Sequence, residues 1–284
     1  MRILLFGGQG MLGSELLRTL IGPGNQVFAP SERETDIADE DAVARSFIDF
    51  TPECVIHAAA YTNVDGCELN PHLAFRVNSE GTRHVAKAAG RVGASMLYVS
   101  TDFVFDGRKK TPYLPDDRPH PLNVYGHSKL EGEKHVKRLA ERHWIVRTAW
   151  LFGKNGPNFV RAILDKADRG GELEVVDDQT GSPTYARHLA IAIAEIVGGD
   201  DTGTWHVTGG GRCTWYDLAR ETLALSGREH VPVSPISSVR LGRPARRPPY
   251  SVLGNADGPL PFSPLPSWRE GLAAYLREMR ELRE

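Results

Sequence analysis

The sequence predicts an α/β protein: a Rossmann-like, doubly wound parallel sheet with a smaller, mixed C-terminal substrate lobe. Three features carry that expectation. Short apolar runs alternate with longer helical patterns through the first half, a glycine cluster (GGQGMLG) follows the first run, and prolines and glycines become denser after Trp150. Strands joined by crossover helices build a parallel sheet that binds its ligands at the carboxyl ends of the strands. At 284 residues the chain can bury a substantial core.

In order, the candidate strands are RILLF (2–6), QVFAP (26–30), CVIHAA (54–59), SMLYVST (95–101) and WIVRTAW (144–150). Between them, MLGSELLRTL places Leu12, Leu16, Leu17 and Leu20 on one helical stripe, and DEDAVARSFIDF does the same with Val43, Phe47 and Phe50. Residues 1–152 therefore form the expected dinucleotide-binding domain. Residues 183–209 are expected to return to it through the amphipathic helix PTYARHLAIAIAEIV (183–197), leaving 153–182 and 210–284 as the substrate lobe. In the second half TWHVTG (204–209) reads as an isolated strand, and 239–255 reads as loop from its prolines, carrying Arg240, Arg243, Arg246 and Arg247.

Composition narrows the function classes. A formal charge of −2 offers no global attraction for nucleic acid. Cys54, Cys67 and Cys213 have neither an even count nor a Cys-x-x-Cys spacing, which argues against a disulfide framework and for a reducing compartment. The opening run MRILLFGG is too short for a signal segment and no apolar run reaches membrane-spanning length, so a cytoplasmic protein without membrane or nucleic-acid partners is expected. The ten histidines show no metal-ligand spacing.

The glycines stand where a pyrophosphate meets the N–H groups at a helix start. Gly8, Gly10 and Gly13 give G-x-G-x-x-G, and Gly7, Gly10 and Gly13 give the G-x-x-G-x-x-G spacing of another branch of dinucleotide binders. After the second strand the tip reads Ser31, Glu32, Arg33. A serine and an arginine suit a 2′-phosphate, so NADPH is the expected cofactor; Glu32 on the ribose hydroxyls keeps NADH open. Asp36, next to Ile37, could reach an adenine amino group or begin a helix.

The segment PLNVYGHSKLEGE (121–133) puts Tyr125 at a helix entrance and Lys129 one turn later on the same face. An ammonium beside a phenol favours the phenolate, which would lower the tyrosine pKa. The strand ending YVSTD brings Ser100, Thr101 and Asp102 to a carboxyl end, where the Thr101 hydroxyl could hold a carbonyl oxygen while Tyr125 supplies a proton.

With HAAAYTNVDGCE (57–68), VSTDFVFDG (99–107), VRTAWLFG (146–153), DDQTGSPT (177–184) and RPPYSVLGN (247–255), these motifs make nearly the whole chain resemble the extended short-chain dehydrogenase/reductases. Within them it is similar to the dTDP-4-dehydrorhamnose reductases. That resemblance implies a catalytic set of Thr101, Tyr125 and Lys129, with Lys129 also gripping the nicotinamide ribose. It implies Gly7, Gly10, Met11, Leu12 and Gly13 at the cofactor phosphates, and Ala58, Ala59, Ala60, Tyr61 and Thr62 along the cofactor; Arg33, Asp36 and Ile37, read from the segment after the second strand, complete the expected cofactor set. A dTDP-sugar would face Thr101, Asp102, Val104, Tyr125 and Trp150. Some such enzymes are dimers holding a divalent cation through glutamates. Here Arg187 stands where one such glutamate is expected, although Glu15 is present, which argues against a structural Mg2+ and leaves monomer or homodimer open. No catalytic metal is expected.

The implied reaction is reduction of the C4 ketone of dTDP-4-dehydro-L-rhamnose to dTDP-L-rhamnose. Two alternatives stay open: another nucleotide-linked 4-keto-deoxysugar as substrate, or a non-catalytic regulatory subunit, since the methionine adenosyltransferase β subunit is similar to this family. The complete set of Thr101, Tyr125 and Lys129 favours chemistry.

Overall fold

Strand and helix alternate along the first half of the computed structural model, which describes residues 1–281. The order is β1 (Arg2–Phe6), α1 (Met11–Leu20), β2 (Gln26–Phe28), α2 (Glu40–Phe50), β3 (Cys54–His57), α3 (Val64–Leu69), α4 (Pro71–Phe75), α5 (Thr82–Val92), β4 (Ser95–Thr101), α6 (Val124–Leu139) and β5 (His143–Thr148). A π-helical turn, Arg76–Gly81, joins α4 to α5, and a 3-10 turn, Asp102–Val104, follows β4. The second half holds β6 (Leu151–Phe152), α7 (Phe159–Arg169), β7 (Leu173–Val176), β8 (Thr180–Gly181), β9 (Thr184–Tyr185), α8 (Ala186–Gly198), β10 (Gly203–His206), β11 (Cys213–Thr214), α9 (Trp215–Leu225), β12 (Val233–Ile236), α10 (Ser238–Leu241) and α11 (Trp268–Glu281).

Six strands pair in parallel in the order β2-β1-β3-β4-β5-β10. The run RILLF is apolar throughout because both faces of its strand are covered. Ile3 and Leu5 point to one side, where Leu12 and Leu16 of α1 meet Leu189 and Ile193 of α8. Leu4 and Phe6 point to the other, against Val43 and Phe47 of α2, Val85 and Ala89 of α5, and Val136 of α6. This is a doubly wound Rossmann-like α/β sheet.

The strand read as isolated is not: β10 lies at the sheet edge with residues 203–206 opposite residues 144–147 of β5. Four strands end before their sequence runs do, β3 at His57 and β10 at His206 among them. β2 stops at Phe28, before Pro30, and β5 stops at Thr148 because Trp150 adopts a left-handed φ of 47° that swings the chain into β6. The remaining strands form small pairs, parallel for β6 with β9 and β7 with β12, antiparallel for β8 with β11. With α7, α9 and α11 they enclose two further apolar clusters, one around Phe152, Trp268 and Tyr275, the other around Ile163, Leu173 and Leu223. Among the described residues no helix is long and apolar enough to cross a membrane.

Candidate active site

The carboxyl ends of the strands open into a cleft of about 1530 Å³. Strand order reverses between β1 and β3, and the segments that follow those two strands, residues 7–13 and 58–62, both line the cleft. The glycine loop fits a bound dinucleotide for separable reasons. Gly7 has φ +86°, and a Cβ there would lie 2.6 Å from the Ala59 nitrogen. A Cβ on Gly13 would lie 1.9 Å from the Gly7 carbonyl oxygen, so only glycine lets α1 start this close to the loop. At Gly10 a Cβ would meet only the Gly7 carbonyl oxygen, at a tight 3.3 Å that a small shift relieves, so packing alone does not require glycine there as it does at positions 7 and 13. Gly10 is also the N-cap of α1 and supplies no side-chain cap, which leaves the first-turn N–H groups available to an anion. Met11 and Leu12 line the same end of the cleft.

Ala58, Ala59, Ala60, Tyr61 and Thr62 line the next wall. Asn78, 1% exposed in the π-helical turn, fixes it. Its side-chain oxygen accepts from the Tyr61 N–H at 2.8 Å, and its amide donates to the Tyr61 carbonyl and the Ser128 hydroxyl at 3.1 and 3.0 Å. Sequence reasoning missed Asn78, because a lone asparagine carries no periodic signal. Ser31, Glu32, Asp36 and Ile37 line the cleft, with Asp36 paired to Arg76 at 3.2 Å. Arg33 does not line it. The Glu34 and Thr35 N–H groups bond back to the Ser31 carbonyl, and the resulting turn leaves Arg33 exposed at its tip.

Thr101, at the end of β4, donates its hydroxyl to Asp102 at 3.1 Å. Burial pushes the Asp102 carboxyl up to about 7. Asn123 caps α6 by accepting from the Gly126 N–H at 2.8 Å, which delivers Tyr125 into the first turn and onto the cleft wall with Thr101 and Lys129. The asparagine cap is a signal the sequence carried. Lys129 is 2% exposed, with Nζ 4.1 Å from the centre of the Tyr98 ring.

The electrostatics differ from the expected tuning. Burial raises the Tyr125 pKa, with the Thr101 hydroxyl opposing, so the phenol stays protonated. Burial also holds the Lys129 ammonium down to about 7, with Glu133 one turn on pulling upward. Desolvation by the cleft wall therefore outweighs the attraction expected between phenolate and ammonium.

Val104 is not on the wall. The 3-10 turn after β4 carries it inward, where it is 0% exposed among Phe105, Tyr113, Ala149 and Leu253. Trp150 does line the cleft, stacked on Trp215 with ring centres 3.5 Å apart and planes 4° from parallel. Trp215 also lines the cleft and opens α9 behind the Thr214–Asp217 capping box. Its sequence context signals a helix start but not its partner. The positive φ at Trp150 is a strained backbone at a site wall, the kind of position where function is sought. Glu15 is buried and bonded to Arg18 at 3.1 Å, and Arg187 is exposed.

A family model described as the RmlD substrate binding domain matches residues 1–281. A dTDP-4-dehydrorhamnose reductase from Streptomyces griseus is 41% identical over 278 residues, covering 95% of this chain and 91% of that protein. A probable dTDP-4,6-dihydroxy-2-methyloxan-3-one 4-ketoreductase from Streptomyces antibioticus is 37% identical over 282 residues, covering 96% and 93%. The crystal structure of dTDP-4-dehydrorhamnose reductase from Bacillus anthracis in complex with NADP superposes with a TM-score of 0.94 at 36% identity, covering 98% of this chain and 99% of that one.

Proposed function

The chain belongs to the RmlD family, that of the dTDP-4-dehydrorhamnose reductases, and on that premise we propose that it reduces the C4 ketone of dTDP-4-dehydro-L-rhamnose to give dTDP-L-rhamnose. The observation that carries this reading is the convergence of Thr101, Tyr125 and Lys129 on the cleft that the glycine loop lines. Residues 7–13 and 58–62, which line the cleft, would hold NADPH, and that cofactor would supply the hydride.

Each protein group then has one task. The Thr101 hydroxyl turns from Asp102 to donate to the ketone oxygen. Tyr125, kept protonated by burial, donates its phenolic proton as negative charge develops on that oxygen. Lys129, held near the point where it exchanges its proton at neutral pH, would hold the nicotinamide ribose, and its charged form favours the phenolate left when Tyr125 gives its proton to the substrate. Trp150, backed by Trp215, offers an aromatic surface to the methyl-bearing hexose. Cytoplasm, where NADPH is regenerated, is the compartment this chemistry asks for.

The test follows NADPH absorbance when the purified protein meets dTDP-4-dehydro-L-rhamnose generated in place, with NADH in parallel. Turnover is expected with wild type, and Tyr125→Phe is expected to lower kcat by roughly a hundredfold or more while KM changes little, because the proton is needed only in the transition state. Full turnover by Tyr125→Phe would sink the assignment. The Streptomyces antibioticus relative motivates a second reading, another dTDP-linked 4-ketosugar, which would be favoured if that class turned over and the rhamnose precursor did not.

A further inference from the structure

Behind the cleft wall, between β4 and α6, lies an aromatic ring that the catalytic set does not include. Tyr98 of β4 is 0% exposed and does not line the cleft, yet its ring face lies under Lys129, whose Nζ stands 4.1 Å from the ring centre. Among the described residues that Nζ makes no hydrogen bond and no ion pair. Glu133, one turn further along α6, is occupied by Arg147 and Ser100. The face of Tyr98 is therefore what meets the buried charge.

The helix above is shaped for that ring. A Cβ on Gly132 would lie 2.4 Å from the Tyr98 hydroxyl oxygen and 2.8 Å from the Asn78 carbonyl oxygen, so the missing side chain lets the ring pass beneath α6. Glycine is a poor helix former in a helix interior, so its place here follows from this close approach and not from the helix. The Tyr98 hydroxyl faces the Asn78 and Lys129 carbonyls, both at 3.4 Å, which ties the ring to the π-helical turn and to α6. The titratable groups around Lys129 are Tyr98 from β4, His57 from β3, and Tyr125 and Glu133 from its own helix, while Asp102 of the 3-10 turn acts on Tyr125. Burial raises the Tyr98 pKa and keeps the phenol neutral. Burial, then Lys129, hold the His57 imidazole down to about 3, so it is neutral as well.

We infer that Tyr98 is a positioning residue for Lys129, its ring face holding the ammonium at the cleft wall where it serves Tyr125 and the cofactor ribose. The role of that ammonium rests on the reductase reading above. The face of an aromatic ring carries negative charge density and attracts a cation, most strongly where both are out of water. Desolvation alone draws the proton off Lys129, and the ring opposes it. The same contact restricts a four-carbon stem that is otherwise flexible.

The experiment is an NMR pH titration of the full-length protein, isotope-labelled at the lysine ε-carbons, with the Lys129 signal identified as the one absent from Lys129→Met. Wild type should titrate at about 7. Tyr98→Met, which fills the site without a ring, should titrate roughly 0.5 to 1 pH unit lower, whereas Tyr98→Phe, which keeps the face and loses the hydroxyl, should stay with wild type. Tyr98→Leu makes the same comparison if the methionine variant does not fold. In turnover the alkaline limb of kcat should move down in step with the Lys129 midpoint, a displacement that a loosened core by itself would not produce. A Lys129 midpoint unchanged or raised in the ringless variants would overturn the inference, as would a Tyr98→Phe midpoint lowered as far as that of Tyr98→Met, which would assign the effect to the hydroxyl. A wild-type protein that binds NADP+ but reduces no dTDP-linked 4-ketosugar would instead overturn the reductase reading, and the titration would still decide what Tyr98 does to Lys129.

Discussion

Lys129 is the residue at which function and stability pull apart. It is 2% exposed, and burial lowers its pKa from 10.5 to about 7. Between those values the unfolded chain binds more protons than the folded one, so this group makes stability rise with pH across that window; below about 7 its full cost is present. Replacing it with a neutral side chain of similar length should therefore stabilise the fold. Lys129→Met is expected to gain about 2 kcal/mol or more near neutral pH and to melt several degrees higher, while losing turnover. Thermal unfolding should show the gap narrowing as pH rises towards 10; a gap that stays constant, or a destabilised variant, would mean that the ammonium is structurally required. That Tyr125 and Lys129 share one cleft wall was readable from a spacing of four, but the direction of the tyrosine shift was not, because burial depends on the walls that close around the two residues. The same limit explains Val104 and Arg33: spacing places a residue near a site, whereas a 3-10 turn or a four-residue loop decides which way its side chain faces.

At the scale of elements, the junction of β1 and α1 separates two uses of glycine that one motif conceals. A Cβ at position 13 would meet backbone, 1.9 Å from the Gly7 oxygen, so Gly13→Ala must displace either the loop or the helix. A Cβ at position 10 meets protein only at 3.3 Å. Gly13→Ala is expected to cost about 2–4 kcal/mol of folding stability along with cofactor affinity, while Gly10→Ala should melt within a degree or two of wild type yet bind NADPH at least about tenfold more weakly. Urea unfolding and cofactor titration on both variants check this; equal destabilisation would show that position 10 is also a packing site. The strands and helices around this junction were legible because both faces of the sheet are covered, which makes β1 uniformly apolar, and because α1 and α2 carry clear stripes. The pairing of β10 was not, since its partner β5 lies some 60 residues earlier and a four-residue run does not say which edge it joins. Nor was the π-helical turn that aims Asn78 at Tyr61, since no spacing in the sequence marks it.

Across the whole molecule, one buried charge network joins the reactive helix to the far edge of the sheet. Glu133 and Arg147 are each 1% exposed and meet through two bonds, at 2.8 and 2.7 Å. Ser100, next to Thr101, donates to the same carboxylate at 2.6 Å. Arg147 continues to His206 of β10 at 3.4 Å and to the Pro115 carbonyl at 3.2 Å. The His206 ring nitrogen Nδ1 faces the Tyr113 and Gly254 carbonyls at 2.9 and 2.8 Å, and burial, then Arg147, hold that imidazole neutral with a pKa of about 4. Nothing in the sequence marked these residues as partners, because they come from β4, α6, β5, β10 and a C-terminal loop and meet only once the sheet is assembled. Burial alone would raise the Glu133 pKa, but Arg147 holds it below its ordinary value, so the pair's stabilisation is present above the unfolded carboxyl pKa and is lost as pH falls through the folded one. Glu133→Gln strands a buried guanidinium and is expected to cost about 3–5 kcal/mol. Pairing it with Arg147→Met removes the stranded charge and should recover most of that loss, since an apolar replacement of a buried pair is often near neutral. Urea unfolding of the two single variants and the double variant closes the cycle. A double variant as unstable as the sum of the singles would mean that the two side chains act independently, and that the bonds to Ser100 and His206, rather than the ion pair, tie the reactive helix to the sheet edge.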